Sequence, residues 1–189
     1  MPVVKYCSSC GSQLEMREID GHQRKACPNC TFVHWGSYSI GVGALVVKDG
    51  KVLLVRRAQE PGKGNWTNPG GYIEQFEGIR DTIEREVEEE AGVKAKAVSI
   101  VAVRDQPRDI HNVYLAFKME YISGEPRPDE YEVDGAGFFS LEEMREMKVA
   151  SFTQWLVDIA LNGKSDGLAI DEEPIVQLNQ AGLFKIDTK

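Results

Sequence analysis

The chain has four cysteines, and all of them fall between Cys7 and Cys30, as the pairs Cys7-x-x-Cys10 and Cys27-x-x-Cys30. The segment that carries them, Val3 to His34, is rich in Cys, Gly and polar residues and poor in aliphatics. Hydrophobic burial alone cannot hold such a segment together. Each Cys-x-x-Cys turn can aim two thiolates at one point. Two such turns on facing hairpins supply the four sulfurs of a closed tetrahedral zinc site. Gly11 after the first pair, and Pro28-Asn29 inside the second, favour the tight knuckle that lets backbone amides approach sulfur. Four thiolates leave no position open to water, so the zinc at Cys7, Cys10, Cys27 and Cys30 is expected to be structural. The alternatives are two disulfides or redox-active pairs. Clustering argues against disulfides spread over a secreted framework. Arg24 and Lys25 could meet a phosphate, or simply form a solvated hairpin face.

The texture changes at Tyr38. SIGVGALVV (Ser39 to Val47) reads as a buried strand, Asp49-Gly50 as a hairpin turn, and KVLLVRR (Lys51 to Arg57) as the returning strand. Glu60 to Gly71 is dense in Gly and Pro and reads as loop. Ile79 to Ala91 has an amphipathic helical period, with Gly92 as its stop. Val98 to Asp105, Asn112 to Ile122 and Gly135 to Phe139 read as strands; LEEMREM and FTQWLVDIAL read as helices. Interleaved strands, hairpins and helices point to an α/β or α+β fold with a mixed sheet. The expected organisation is a ribbon over 1–36, a main domain over 37–165 and a partly loose tail over 166–189.

The chemistry concentrates in GYIEQFEGIRDTIEREVEEEAGV, from Gly71 to Val93. Glu86, Glu89 and Glu90 are spaced i, i+3 and i+4, which places three carboxylates on one helix face. Like charges at that spacing repel, and divalent cations turn the repulsion into binding, because hard Mg²⁺ or Mn²⁺ prefers oxygen ligands. Ile79, Ile83 and Val87 on the opposite face would anchor the helix to a sheet. Arg85 can pair with an upstream carboxylate such as Glu77 and hold the loop to the helix. A solvated acidic helix is the bland alternative.

The full pattern narrows this. Gly71, five residues, Glu77, seven residues, then Arg85-Glu86-Val87-x-Glu89-Glu90-x-Gly92-Val93 resembles the Nudix box at every fixed position, and the resemblance extends over about Ser39 to Ile159. It implies a mixed sheet sandwiched between helices, with the box as loop–helix–loop, preceded here by the small ribbon. It implies metal ligation by Glu86, Glu89 and Glu90, with the Gly71 carbonyl as a further ligand and Glu77 and Arg85 in support. It also implies metal-assisted substitution at phosphorus, by water activated on the ion. A downstream carboxylate often assists in this family, and Glu132 matches that position better than its neighbour Glu130; an ordinary loop charge is the alternative. The chain departs from the family at Gln75-Phe76, where Pro-Gly is common. That change alters the turn before Glu77 and puts an aromatic at the site mouth.

A zinc ribbon joined to a Nudix domain is similar to NADH pyrophosphatases and to FAD and ADP-ribose pyrophosphatases. The Ser-Gln-Pro-Trp-Pro-Phe-Pro motif of the NADH enzymes is absent; Asp105-Gln106-Pro107-Arg108 stands in that region, and Pro107 falls near a proline typical of ADP-ribose hydrolases. The expected reaction is hydrolysis of a nucleoside-diphosphate-linked compound (ADP-ribose, FAD or NAD(H)) into two monophosphates. Removal of an NAD-type cap from RNA and a non-catalytic ligand sensor are the other readings. Substrate contacts are sought among Arg57, Trp66, Tyr72, Phe76 and Arg104, with Tyr114 and Arg108 as further candidates, because a base needs a stacking surface and a diphosphate needs cations. The net charge of −8 lacks the basic footprint of a nucleic-acid binder, although a local basic patch stays open. No apolar run is long enough for a membrane helix or a secretory signal, so a cytoplasmic location is expected. A homodimer is compatible with all of these features.

Overall fold

The computed structural model describes residues 4–162, 167–170 and 184–186. Two units divide the chain: Met1–Ser39 with Gln106–Asn112, and Ile40–Asp105 with Val113–Lys189. The first unit is built on strands β1 (Glu15–Ile19), β2 (His22–Ala26) and β3 (Val33–His34), joined as an antiparallel sheet. Asp20 and Gly21 turn β1 into β2 with φ of 53° and 74°. Positive φ at both central residues is what a type I′ hairpin requires, and Asp-Gly supplies it cheaply. Cys7, Ala26 and Cys27 are the buried apolar positions here, too few to make a core.

The second unit carries the large sheet. Its strands are β4 (Tyr38–Lys48), β5 (Lys51–Arg57), β6 (Trp66–Thr67), β7 (Lys94–Gln106), β8 (His111–Ser123), β9 (Val133–Phe139), β10 (Leu168–Ile170) and β11 (Phe184–Ile186). Its helices are α1 (Ile79–Ala91), α2 (Leu141–Met144) and α3 (Ser151–Asn162). The strand order is β11-β10-β7-β8-β4-β5-β6, and β9 also pairs with β5. β4 and β5 meet across Asp49-Gly50, whose φ values of 51° and 72° repeat the first hairpin turn.

The central strands are apolar on both faces, and each face has a helix. Val42, Ala44 and Val46 of β4, with Leu53 and Val55 of β5, pack against Ile83, Val87 and Ala91 of α1. On the other face Val52 and Leu54 meet Val157 of α3, while Leu45 meets Leu156. Alternation along each strand thus feeds two helices, and the expected sandwich is the observed one. Gly92 caps α1 in the left-handed conformation, with φ of 66°.

Three elements differ from expectation. LEEMREM gives one four-residue turn of helix, opened by a capping box in which Ser140 and Glu143 satisfy each other's backbone amides. The Gly/Pro-dense loop contains the short strand β6, which Trp66 joins to β5 at Arg56. β7 begins at Lys94, immediately after the helix stop, so the polar Lys-Ala-Lys lead-in belongs to the strand. Part of the expected tail, Leu168–Ile170, pairs with β7; most of the remainder lies outside the described residues.

Candidate metal and catalytic site

In the ribbon, the four sulfurs lie within 4.8 Å of one another. Cys7 and Cys30 are 3.5 Å apart, Cys10 and Cys27 3.4 Å, and Cys10 and Cys30 3.8 Å. A Zn–S bond of about 2.3 Å implies a tetrahedron edge of about 3.8 Å. A disulfide needs about 2.05 Å. The spacing therefore fits a shared ion, and all four cysteines are free thiols. The backbone amides of Ser9 and Asn29 donate to the sulfurs of Cys7 and Cys27, both at 3.4 Å. These are the amide-to-sulfur contacts that the two knuckles predict. Hydrogen bonding from Ser12, through side chain and backbone, lowers the Cys10 thiol to about 6.

Along α1 the apolar stripe faces the sheet, with Ile83, Val87 and Ala91 in the core, and Glu90 is turned toward the loop at Gly70. Their environments differ steeply. Glu90 is buried at 7 % exposure, Glu86 is mostly covered, and the Glu89 side chain is 59 % exposed. Glu90 accepts the Gly70 backbone N–H at 2.9 Å. Burial raises the Glu90 carboxyl to about 8, with the Glu86 and Glu132 charges adding to it against that hydrogen bond. Burial likewise raises Glu86, opposed by Arg85.

Arg85 is the organiser. Its Nε and Nη2 each lie 2.9 Å from one oxygen of Glu77, as a two-pronged pair. Its Nη1 reaches Glu86 Oε1 at 3.0 Å and Glu89 Oε2 at 2.7 Å. Thr82 donates a further hydrogen bond to Glu77 at 2.9 Å. The pairing with Glu77 is as expected, whereas the reach to Glu86 and Glu89 is not. The expected convergence of three carboxylates is accordingly looser than that of the four sulfurs. Arg85 draws two of them toward itself, and Gly70 holds the third.

The loop before the helix is fitted to these carboxylates. Gly70 has φ of 155°, and a Cβ there would fall on the Val42 carbonyl. A Cβ at Gly71 would fall on the Glu86 carboxylate. At Gly70 the obstacle is backbone, and only glycine fits; at Gly71 it is the end of the Glu86 side chain, which any larger residue would have to displace. The Gly71 carbonyl accepts the Val42 N–H at 2.8 Å. That bond uses one of its two lone pairs and leaves one for a cation. One buried and one mostly covered carboxylate, a backbone carbonyl and an exposed third acid are oxygen donors of the kind that hard divalent ions take, so the residues fit the implied metal.

The charge of Glu132 helps to raise the carboxyls of both Glu86 and Glu90. Its carbonyl accepts the Ala58 N–H at 2.8 Å. Asp129 Oδ1 accepts the amides of Tyr131, Glu132 and Val133. This Asx-type turn shapes the loop that presents Glu132. Asp129 after Pro128, in PDEYEV, carries a turn-former's signature in the sequence. Asn68 was missed: 7 % exposed, it donates to Tyr114 Oη at 2.9 Å and accepts from Thr153 at 3.2 Å. No local pattern announces a network drawn from three distant segments.

The proposed substrate contacts separate into two groups. Arg57 donates to the Pro61 carbonyl at 2.8 Å. Trp66 packs edge-on to Phe139 at 4.8 Å, so its ring belongs to the core. Arg104 stacks over Phe152 and Tyr114 at 4.4 and 5.1 Å. Tyr72 and Phe76 remain outward, at 63 % and 99 % exposure. Phe76, Glu77 and Arg85 line one open cleft of about 670 Å³. The last of the candidates, Arg108, lies in the first unit.

The NUDIX domain family matches residues 37–157. The chain belongs to the Nudix family. The Nudix N-terminal zinc-ribbon family matches residues 5–35. Among its relatives is the NAD-capped RNA hydrolase NudC of Pseudomonas aeruginosa, 29 % identical over 163 residues, which cover 85 % of this chain and 57 % of that protein. The chain thus spans a little over half the length of this relative. The ADP-ribose pyrophosphatase of Methanocaldococcus jannaschii is 31 % identical over 112 residues, 58 % of this chain and 66 % of that one. A crystal structure of a Nudix hydrolase from Nitrosomonas europaea superposes with a TM-score of 0.73 at 28 % identity, covering 82 % of this chain and 90 % of that one.

Proposed function

We propose that this Nudix chain hydrolyses the phosphoanhydride of a nucleoside-diphosphate-linked compound, of the ADP-ribose class, into two monophosphates. The observation that carries the reading is the set around Glu90. A deeply buried carboxylate, whose ionisation the charges of Glu86 and Glu132 oppose, accepts the amide of Gly70 from a glycine pair at which a Cβ would clash. Burying an acid among acids is costly unless a cation is to share them.

Glu86, Glu89, Glu90 and the Gly71 carbonyl would hold Mg²⁺ or Mn²⁺. Such ions polarise the diphosphate and lower the pKa of attacking water. Arg85 clamps Glu77 and fixes the loop relative to the helix. Glu132 approaches from the loop before β9, as a further acid beside the reacting phosphates. Phe76 and Tyr72 offer the apolar faces on which a base or nicotinamide can lie. In the ribbon, Cys7, Cys10, Cys27 and Cys30 hold a structural Zn²⁺. No described helix is long and apolar enough to cross a membrane, and a cytoplasmic location suits a nucleotide substrate.

The relative from Pseudomonas favours a second reading, NAD-cap removal from RNA. One panel separates the two. Purified chain with Mg²⁺ or Mn²⁺ is offered ADP-ribose, FAD, NADH and an NAD-capped transcript, with Glu89→Gln as control. Preferential cleavage of ADP-ribose supports the first reading, and preferential decapping the second. No cleavage of any of them, with metal bound equally by Glu89→Gln, ends both.

A further inference from the structure

The first unit holds a cavity of about 550 Å³, walled by residues of that unit alone, among them Met16, Arg24, Lys25, His34, Trp35 and Asp109. Its volume lies in the range of small-ligand sites, about 300–1,000 Å³. Strand register builds part of the wall. Met16 pairs with Lys25 across β1 and β2, and Lys25 with His34 across β2 and β3, so the three stand in a row. Beside them the Arg24 guanidinium lies 4.8 Å from the centre of the Trp35 ring.

Three observations single out this cavity. First, Trp35 is 56 % exposed and Met16 59 % exposed, a large apolar outlay for a unit with so small a core. Second, the Arg24 Nε is buried and has no hydrogen-bond partner among the described residues. An orphaned donor on a charged group is expensive, and it marks a guanidinium whose hydrogen bonding this unit itself leaves incomplete. Third, among the described residues neither Arg24 nor Lys25 forms an ion pair with an acid; Lys25 donates only to the Val4 carbonyl, at 2.7 Å. Lysine has three donors, so two remain to spend. A planar aromatic face, a stacked guanidinium and a second cation together match a planar ring that carries an anionic, acceptor-rich group. Bases stack on both indole and guanidinium planes, and phosphates seek such cations.

We propose that this cavity is a second binding site, for a nucleotide unit: the base lies against Trp35 and Met16, and the phosphate is held by Arg24 and Lys25. The unit could be a free mononucleotide or one residue of a single-stranded RNA. This site does not depend on hydrolysis at the glutamates.

The test uses the full chain with zinc bound and no other divalent ion added. Binding of AMP and of a labelled short oligoadenylate RNA with a 5′-hydroxyl is titrated by calorimetry and anisotropy. Neither ligand contains an anhydride bond, so neither can be turned over. Trp35→Ala and Arg24→Gln should each weaken binding by at least about fivefold, the low end for loss of one stacked base. The zinc content should stay at that of the parent. Equal affinity per nucleotide for AMP and RNA identifies the free nucleotide as ligand; binding of RNA alone identifies the strand, and its affinity should then fall steeply with salt. If Trp35→Ala loses zinc, Arg24→Gln and Lys25→Gln decide in its place. Affinities unchanged in the zinc-loaded variants overturn the proposal. So does a finding that these substitutions abolish self-association in sedimentation and leave nucleotide binding intact, which would make the patch an interface between copies.

Discussion

The carboxylate of Glu90 lies buried 2.9 Å from the backbone amide of Gly70. One hydrogen bond ties the end of the helix to the loop that precedes it in the box. The same contact brings a negative charge into a place where burial, Glu86 and Glu132 all oppose ionisation.

A pH dependence follows. The Glu90 carboxyl titrates near 8 in the folded chain against 4.5 for the unperturbed group. Between those values the folded state binds the extra proton, so stability falls as pH rises. The contribution is intact below about pH 4.5 and is lost by about pH 8, at a cost of a few kcal/mol. Without added Mg²⁺ or Mn²⁺, thermal scans between pH 5 and 9 should show a falling Tm. Glu90→Gln keeps an acceptor for Gly70 and should flatten that slope, while hydrolysis drops at least about a hundredfold. Parallel slopes for the two proteins would refute the assignment.

Arg85 meets Glu77, Glu86 and Glu89 together. Removing it leaves three carboxylates facing one another. Because its side chain is 34 % exposed, solvent screening keeps the expected loss for Arg85→Ala to about 1–3 kcal/mol, below that of a fully buried pair. Arg85→Lys retains the charge but not the fork, and should recover little of the activity. Glu77 is held below the usual carboxylate range, first by its hydrogen bond to Arg85. A lowered carboxyl stabilises above its unfolded pKa and loses that stabilisation as pH falls through the folded one. Arg85→Ala should therefore shed part of its stability deficit in acid, which urea titrations at pH 3 and 7 would read.

Much of this was legible from local pattern. The α1 face, its Gly92 stop, the Asp49-Gly50 hairpin and the sulfur knuckles each depend on residues a few positions apart, and the structure reproduces them. Two-faced burial of β4 and β5 was readable from their unbroken apolar runs. What sequence reasoning missed depends on tertiary contact. Trp66 offered itself as a stacking surface, but Phe139, over seventy positions away in the chain, claims its ring. Arg104 looked like a free cation and instead stacks over Phe152 and Tyr114. The spacing of the glutamates foretold a shared face but not that one arginine would gather two of them.

The ribbon should stand or fall with its metal. Cys27 is buried at 1 % exposure, and the unit has little apolar surface to hold it otherwise. Cys27→Ser should take zinc from about one per chain to a small fraction of that. Hydrogen exchange should then lose protection at the amides of β1 and β2. Protection in β4 and β5 should persist, because the cluster packed on α1 draws no residue from the ribbon. Retained protection in a zinc-free β1–β2 hairpin would show that the sulfurs do not hold the fold.

Gly43 marks where the sheet is filled from the side. A Cβ at this position would fall on Tyr114 Oη and on the Asn68 amide. These two groups are hydrogen-bonded to each other at 2.9 Å. Gly43→Ala must therefore push a half-buried ring or break a part-buried hydrogen bond, a cost of about 1–3 kcal/mol. Tyr114→Phe removes the oxygen in the way and alone costs about 1 kcal/mol, for the Asn68 donor it leaves behind. In the double variant the overlap with the hydroxyl is gone while those with the ring carbon and the Asn68 amide stay, so the two losses should fall short of their sum by only a part of the roughly 1 kcal/mol that the hydroxyl accounts for. The same network stands behind Pro69, whose carbonyl accepts the Ala44 N–H at 2.8 Å, one residue before the Gly70 amide that Glu90 uses. Gly43→Ala should hence lower kcat more than it raises KM, with zinc content unchanged. Strictly additive losses in urea unfolding would mean that the alanine methyl finds room elsewhere and never meets Tyr114.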